Sequence, residues 1–221
     1  MDINIWLGII LLLILQTHFV FSDNASVLHG KNLLRTVDGV NISAQALTRR
    51  EFKITDNLQT YQRRIRFDVN FNKRWLHYRN GFGTSAGDFW LGLKHMHNLT
   101  KSGKWELRID MRYNNVNYYA QYRSFKIGSE SEYFPLRVSG FSGNVKDELK
   151  RHNGYRFYTI DYPGLTRCAA YYLAGWWFHN CHDVFLNGEQ PRRRMAGGIH
   201  WYSLTGDNSN LQSVEMKIRK Q

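Results

Sequence analysis

An α+β fold with a sheet-rich centre is what this 221-residue sequence predicts, and three observations carry that reading. Trp105, Leu107, Ile109 and Met111 alternate with Glu106, Arg108 and Asp110, the period of two that marks a half-buried strand. Val214, Met216 and Ile218 alternate in the same way within 213–219. Helical patterns are few, and from about Asn153 the chain becomes rich in Gly and Asn, which predicts a loop-heavy final third.

Taken in order, the chain opens on an apolar run from Ile5 to Leu15. That length suits the core of a secretory signal peptide and falls short of the about 20 apolar residues a membrane span needs. Val20 and Ser22 are small enough to precede a cleavage site, so a signal peptide over 1–22 is expected. The opening Met1-Asp-Ile-Asn4 lacks the usual basic residue, and an uncleaved anchor is the competing reading. Residues 23–59 are polar and without period, and read as an N-terminal arm or reduced subdomain ahead of a folded domain over 60–221. Asn-x-Ser/Thr sequons mark Asn24, Asn41 and Asn98 as candidate glycosylation sites. From Thr60 onward, short apolar or aromatic runs at 88–93, 105–111, 117–122 and 125–128 lie between Gly, Asn, Asp and Ser clusters. Helices are expected only over 74–81 and 168–173.

Composition narrows the function. A hydrophobic fraction of 43% and an aromatic fraction of 15% supply a packed core and exclude a disordered chain. Gly 18 against Pro 3 excludes collagen-like and proline-rich repeats. Thirty Lys and Arg against eighteen Asp and Glu give +12, and loss of residues 1–22, which hold only Asp2, raises that to +13. Such a charge favours acidic partners, among them sulfated glycans and anionic cell surfaces. Nucleic acid suits the charge, but an exported chain rarely meets it and no reader motif is present. There is no Gly-x-Ser-x-Gly elbow, no His-Glu-x-x-His and no carboxylate pair placed for hydrolysis, so the expectation is a binding protein and not an enzyme.

Cys168 and Cys181, with Trp176 and Trp177 between them, are the two cysteines of the sequence. In an exported chain such a pair reads first as a disulfide. Zinc held by Cys168, His179, Cys181 and His182 is a rival reading, although adjacent Cys181 and His182 do not easily share one tetrahedral ion. A Cys/His nucleophile is the other, and a disulfide would consume its thiolate.

Several collinear motifs carry a family resemblance. They are Asn80-Gly-Phe-Gly83, Gly87-Asp-Phe-Trp-Leu-Gly92, Trp105-Glu-Leu-Arg-Ile-Asp110, His152-Asn-Gly154, Gly175-Trp-Trp-Phe-His-Asn-Cys-His182, Leu186-Asn-Gly188, Gly198-Ile-His-Trp201 and Glu215-Met-Lys-Ile-Arg219. Together they resemble the fibrinogen C-terminal domain, the family of fibrinogen chains, ficolins, tachylectins and angiopoietins. The resemblance implies an α+β domain with a central, mostly antiparallel sheet, few short helices and a loop-rich C-terminal subdomain. The small opening subdomain of the family, with its own disulfide and Gly-Gly-Gly-Trp strand, is expected to be truncated or rebuilt, since residues 23–60 hold no cysteine and no such Gly run. No coiled coil or collagen-like stretch precedes the domain, so the sequence leaves the oligomeric state open.

The resemblance also implies a pairing of Cys168 with Cys181 and a cis peptide at Asn180–Cys181. In lectin-like members, the backbone N–H groups of the residues matching Cys181 and His182 take the carbonyl of an acetyl group, and an aromatic-lined funnel takes its methyl. Tyr172, Asn180, Cys181, His182 and Ala196 match that pattern. Met195 replaces a tyrosine, Asp207 stands where another aromatic is expected, and the shortened loop 187–195 carries Arg192, Arg193 and Arg194 at the expected mouth, with Arg193 as the candidate contact for an anionic group. The family's calcium loop is reduced to Asp161, beside Arg167, so no metal site and no cofactor are expected. The implied function is a secreted, extracellular protein that binds glycans, acetylated groups among them, in innate defence or cell-surface recognition. The alternative is a secreted signalling or matrix ligand docking a protein receptor through the same face.

Overall fold

In a computed structural model the centre of the chain is a seven-stranded sheet with every neighbouring pair antiparallel. The structure describes residues 58–221 except 163, 165 and 166, within the compact unit Asn57–Gln221. The predicted signal peptide over 1–22, Asn24, Asn41 and the arm as far as residue 57 lie outside the described residues.

The sheet strands are β1 (Gln59–Arg64), β2 (Phe82–Gly83), β3 (Phe89–Trp90), β4 (Trp105–Tyr113), β5 (Val116–Ile127), β6 (Leu136–Gly143) and β9 (Ser213–Lys220), in the order β2-β3-β1-β9-β4-β5-β6. Strands β7 (Val184–Phe185) and β8 (His200–Trp201) form a separate pair. The helices are α1 (Trp75–Asn80), α2 (Leu93–Thr100), α3 (Cys168–Tyr172) and α4 (Tyr202–Thr205).

The two alternating segments of the sequence meet at the centre. Leu107, Ile109 and Met111 stand opposite Ile218, Met216 and Val214, and all six are buried. The opposite face carries charge: Lys217 Nζ lies 3.1 Å from Asp110 and 2.7 Å from Glu215, and Glu215 accepts from Arg63 Nε at 2.5 Å. The register is fixed by the buried apolar set, which a one-residue slip would turn outward. Across it Arg108 stands opposite Lys217 and Asp110 opposite Glu215, and the diagonal Lys217–Asp110 contact and the Arg63–Glu215 pair of β1 and β9 offset these like charges. Strands β4 and β5 are joined by Asn114 and Asn115, both at positive φ (49° and 62°), where asparagine is tolerated and a two-residue hairpin requires it.

The runs 117–122 and 125–128 are one strand, β5, which changes its buried face from Ala120 and Tyr122 to Phe125 and Ile127. Its pairing with β4 ends at Tyr122, and beyond it α2 approaches, with Thr100 Oγ1 accepting from Ile127 N–H at 3.1 Å. The run 88–93 is a strand only at Phe89 and Trp90; Gly92, at φ 107°, turns the chain into α2, which has no acidic residue in its first turn and no side-chain cap to announce it.

The fixed point of this end of the sheet is the Asp88 carboxylate. It accepts from the N–H groups of Ile65, Arg66 and Phe67 at 2.7–2.9 Å and from Arg64 Nε at 3.2 Å, with both side chains buried. Below the sheet lies an aromatic core containing Trp90, Trp176, Trp177, Trp201 and Phe157. Trp90 and Trp177 give their indole N–H to the carbonyls of Tyr78 and Phe134. Trp177 is thus a core residue, and the loop-rich end is built on it.

Candidate functional site

Helix α3 begins at Cys168, whose disulfide to Cys181 (S–S 2.06 Å, Cα–Cα 5.7 Å) ties it to the turn 179–182. The Asn180–Cys181 peptide is cis, with Asn180 at φ 48°. His179 N–H donates to the Cys181 carbonyl at 2.7 Å, while the N–H groups of Cys181 and His182 donate to no acceptor among the described residues. These are the two donors expected from the sequence.

The turn is held by a residue that sequence reasoning missed. Arg151 donates to the carbonyls of His179 (3.3 Å) and Asn180 (3.1 Å) and pairs with the Asp183 carboxylate at 2.8 Å. Tyr155 stacks on His179 at 4.0 Å from the same side. Nothing in the local sequence marks Arg151, since its partners lie 28 to 32 residues away.

Beside the two donors is an aromatic cluster. The His182 ring stacks on Phe185 at 4.8 Å, meets Tyr172 edge-on at 4.4 Å and lies 5.9 Å from Phe178. Its Nδ1 is 3.2 Å from His200 Nε2, and the outer nitrogens, His182 Nε2 and His200 Nδ1, are buried without a partner. Burial holds the His182 imidazole well below its ordinary pKa, with His200, His152 and Arg151 adding to the effect. His200 is lowered to about 4 by burial, against the pull of Asp207 and Asp183. His152 is likewise lowered to about 4 by burial; its Nδ1 contacts the Trp177 carbonyl at 2.7 Å and its Nε2 accepts from the N–H groups of Asp183 and Val184. Burial raises the Tyr172 phenol. The cluster is neutral at physiological pH and suited to an uncharged group.

The remaining sequence candidates lie on the neighbouring loop. Ala196, at φ 55°, donates its N–H to the Asp207 carbonyl at 2.8 Å, and Met195 is 64% exposed. The three arginines do different jobs. Arg192 is tied to the carbonyls of Asp207 and Asn208, and Arg194 to that of Tyr171, with its guanidinium 4.8 Å from the Tyr171 ring centre. Arg193 is 78% exposed, stands 3.8 Å from Glu189 and lines a different cavity, shared with Arg64 and Phe71. The structure therefore gathers Tyr172, Cys181 and His182 into one cluster with Asn180 in its turn, and sets Met195, Ala196 and Arg193 on a loop beside it. Of the glycosylation candidates, Asn98 is exposed on α2, while Thr100 of the same sequon is buried and bonded to the Met96 carbonyl.

At the position of the family's calcium loop, the one carboxylate is already engaged. Asp161 spends one carboxylate oxygen on Trp75 N–H, at the start of α1, and on Thr159 Oγ1, both at 2.8 Å. No group of three or more acidic, histidine or cysteine side chains poised for a metal occurs among the described residues. Calcium needs six to eight oxygen ligands, and one engaged carboxylate leaves most of that shell unfilled.

The sheet order, the disulfide-closed turn and the loop-built end define a fibrinogen-like recognition domain. Residues 55–221 match the family of fibrinogen beta and gamma chains, C-terminal globular domain, and the chain belongs to that family. It is 41% identical over 171 residues to human fibrinogen C domain-containing protein 1, covering 72% of this chain and 37% of that protein. To chicken tenascin-R it is 39% identical over 162 residues, again 72% of this chain but 12% of the relative, so it spans well under half the length of either. Among solved structures, the fibrinogen-like globe domain of human ANGPTL6 superposes with a TM-score of 0.71 at 33% identity, covering 74% of this chain and 78% of that one. Lamprey fibrin D-dimer, at 21% identity and a TM-score of 0.69 over 92% of both chains, shares the fold. The relatives that share this domain are non-enzymatic.

Proposed function

We propose that this protein is an exported glycan-recognition domain whose Tyr172–His182 cluster takes an acetyl group without calcium. The observation that supports this reading most directly is the pair of N–H donors at Cys181 and His182, left without acceptors among the described residues beside the half-buried rings of Tyr172 and His182, which pack on the buried Phe178 and Phe185. An acetyl group presents one carbonyl acceptor and one methyl, and a site of one or two fixed donors with an apolar cup complements both. Export is supported by the disulfide and by the apolar run at the N-terminus, and no helix among the described residues is long and apolar enough to cross a membrane. A single site of this kind binds weakly, and useful avidity requires several linked copies.

A second reading, docking to a protein receptor, is favoured by the exposed apolar surface of this end of the domain: Tyr171 is 54%, Met195 64% and Tyr202 51% exposed. Large aromatic side chains left in solvent suit a protein interface.

The deciding experiment is retention of the oxidised protein on immobilised N-acetylglucosamine. Elution by free N-acetylated sugar or acetate, unchanged by EDTA and lost in Tyr172→Ala, is the expected result. Absence of retention overturns the acetyl reading and leaves the receptor reading.

A further inference from the structure

On the Arg64 side of the loop that follows β7 is a cavity of about 360 Å³, bounded by residues 67–72 and 187–193. Its volume is that of a small-ligand pocket. None of Tyr172, Cys181 and His182 lines it.

Its floor is a buried guanidinium. Arg64 gives Nε to Asp88 and Nη1 to the carbonyls of Asn187 (3.2 Å) and Gly188 (3.0 Å), and its plane lies 4.0 Å from the Phe71 ring centre. The side chain is 3% exposed, and the remaining nitrogen, Nη2, has no acceptor among the described residues. Nη2 is not sealed away from solvent, so it faces the cavity as a donor open to an incoming acceptor. Carboxylates that can accept stand around it on Asp68 and Glu189. Amide groups with donors to spare stand on Asn70, whose Oδ1 already accepts from Asn72 N–H, and on Gln190, whose Oε1 accepts from Asn210. Phe67, at φ 59°, and Val69 add apolar surface.

This lining selects the ligand class. The guanidinium charges of Arg64, Arg192 and Arg193 are matched by the carboxylates of Asp88, Asp68 and Glu189, so the cavity offers no net charge to an anion. Carboxylate acceptors, amide and guanidinium donors and a phenyl face in one small space match a ring bearing several hydroxyls, each able to donate and accept. A sulfate or uronate would meet Asp68 and Glu189, and an ammonium would meet Arg64. We propose that this cavity is a second saccharide site that takes a neutral, unsulfated hexose unit. The assignment extends the glycan reading above to residues that the acetyl site does not use.

The test is saturation-transfer NMR on the oxidised full chain with methyl glucoside, methyl mannoside and methyl galactoside as probes, with N-acetylglucosamine measured separately. At least one methyl hexoside is expected to give transfer that persists under excess acetate and in Tyr172→Ala. Its affinity is expected to fall about tenfold in the Asp68→Asn, Glu189→Gln double variant, the loss that follows from weakening charged acceptors. Backbone amide shifts in the unmutated protein are expected at 67–72 and 188–193, which keeps the test valid should the double variant fold poorly. Transfer from none of the three hexosides, shifts confined to 178–185, or stronger binding of glucuronate than of any neutral hexoside would each overturn the assignment. N-acetylglucosamine reports on the Tyr172–His182 cluster independently, so the two readings fail separately.

Discussion

His182 Nδ1 and His200 Nε2 face each other at 3.2 Å, a hydrogen-bonding distance at which one neutral ring can donate to the other. One ring donates and the other accepts, and a second proton would set two donors against each other in a buried cluster.

That arrangement makes stability sensitive to acid. His152 and His200 titrate near 4 in the folded protein, and His182 well below its ordinary value, whereas in the unfolded chain each titrates near 6.5. The unfolded state therefore binds more protons as the pH drops below about 6.5, and stability is lost between there and about 4. Each histidine contributes a slope approaching about 1.4 kcal/mol per pH unit in that window. Urea midpoints at pH 7.5, 6.0 and 5.0 should fall steadily, and His200→Gln should flatten the fall by about one proton. An unchanged midpoint between pH 7.5 and 5.0 contradicts this account.

Arg151 positions the donor turn without belonging to the acetyl cluster. Arg151→Ala should speed amide exchange at residues 180–183 and weaken N-acetylglucosamine binding. The global cost should be small, about 1 kcal/mol, because the Asp183 pair is 39% and 33% exposed. Lysine cannot span three acceptors with one ammonium, so Arg151→Lys should rescue little. Equal loss of global stability and of local protection would indicate a purely structural residue.

The Arg64–Asp88 pair is a different case, with side-chain exposures of 3% and 0%. Asp88→Ala removes one partner, strands a buried guanidinium and frees three backbone N–H groups. The expected loss is about 3–5 kcal/mol, read from denaturant midpoints. A loss below about 1 kcal/mol would show that water replaces the carboxylate there.

Removing the Cys168–Cys181 disulfide by double substitution to alanine opens a loop spanning 13 residues. The loop-entropy argument assigns it about 3 kcal/mol. The sheet should survive, seen as an unchanged far-ultraviolet signal at low temperature, while N-acetylglucosamine retention disappears because α3 and the 179–182 turn are no longer tied. Retention by the cysteine-free variant would mean that Arg151 suffices to hold the turn.

Much of this was legible in the chain because it is local. The alternation at 105–111 and 213–219 places six core residues on one face of β4 and β9. The helices at 74–81 and 168–173 and the approach of Cys168 to Cys181 were likewise readable, since period and loop closure are properties of short segments. The continuity of β5 is not legible in the sequence, because its buried face changes where its neighbour changes from β4 to α2, and no local period records a change of partner.

Fold class, family motifs and the residue types at the end of the domain are written in the local pattern of the chain. Tertiary structure alone decided what those residues do. It paired His182 with His200 across 18 positions, anchored the turn on Arg151, tethered Arg192 and Arg194 to backbone carbonyls, and set Arg192 and Arg193 on a separate cavity. The reason is physical: periodicity and spacing report which side of an element is buried, whereas a hydrogen bond or a charge's partner depends on which distant segment the fold brings within about 3 Å.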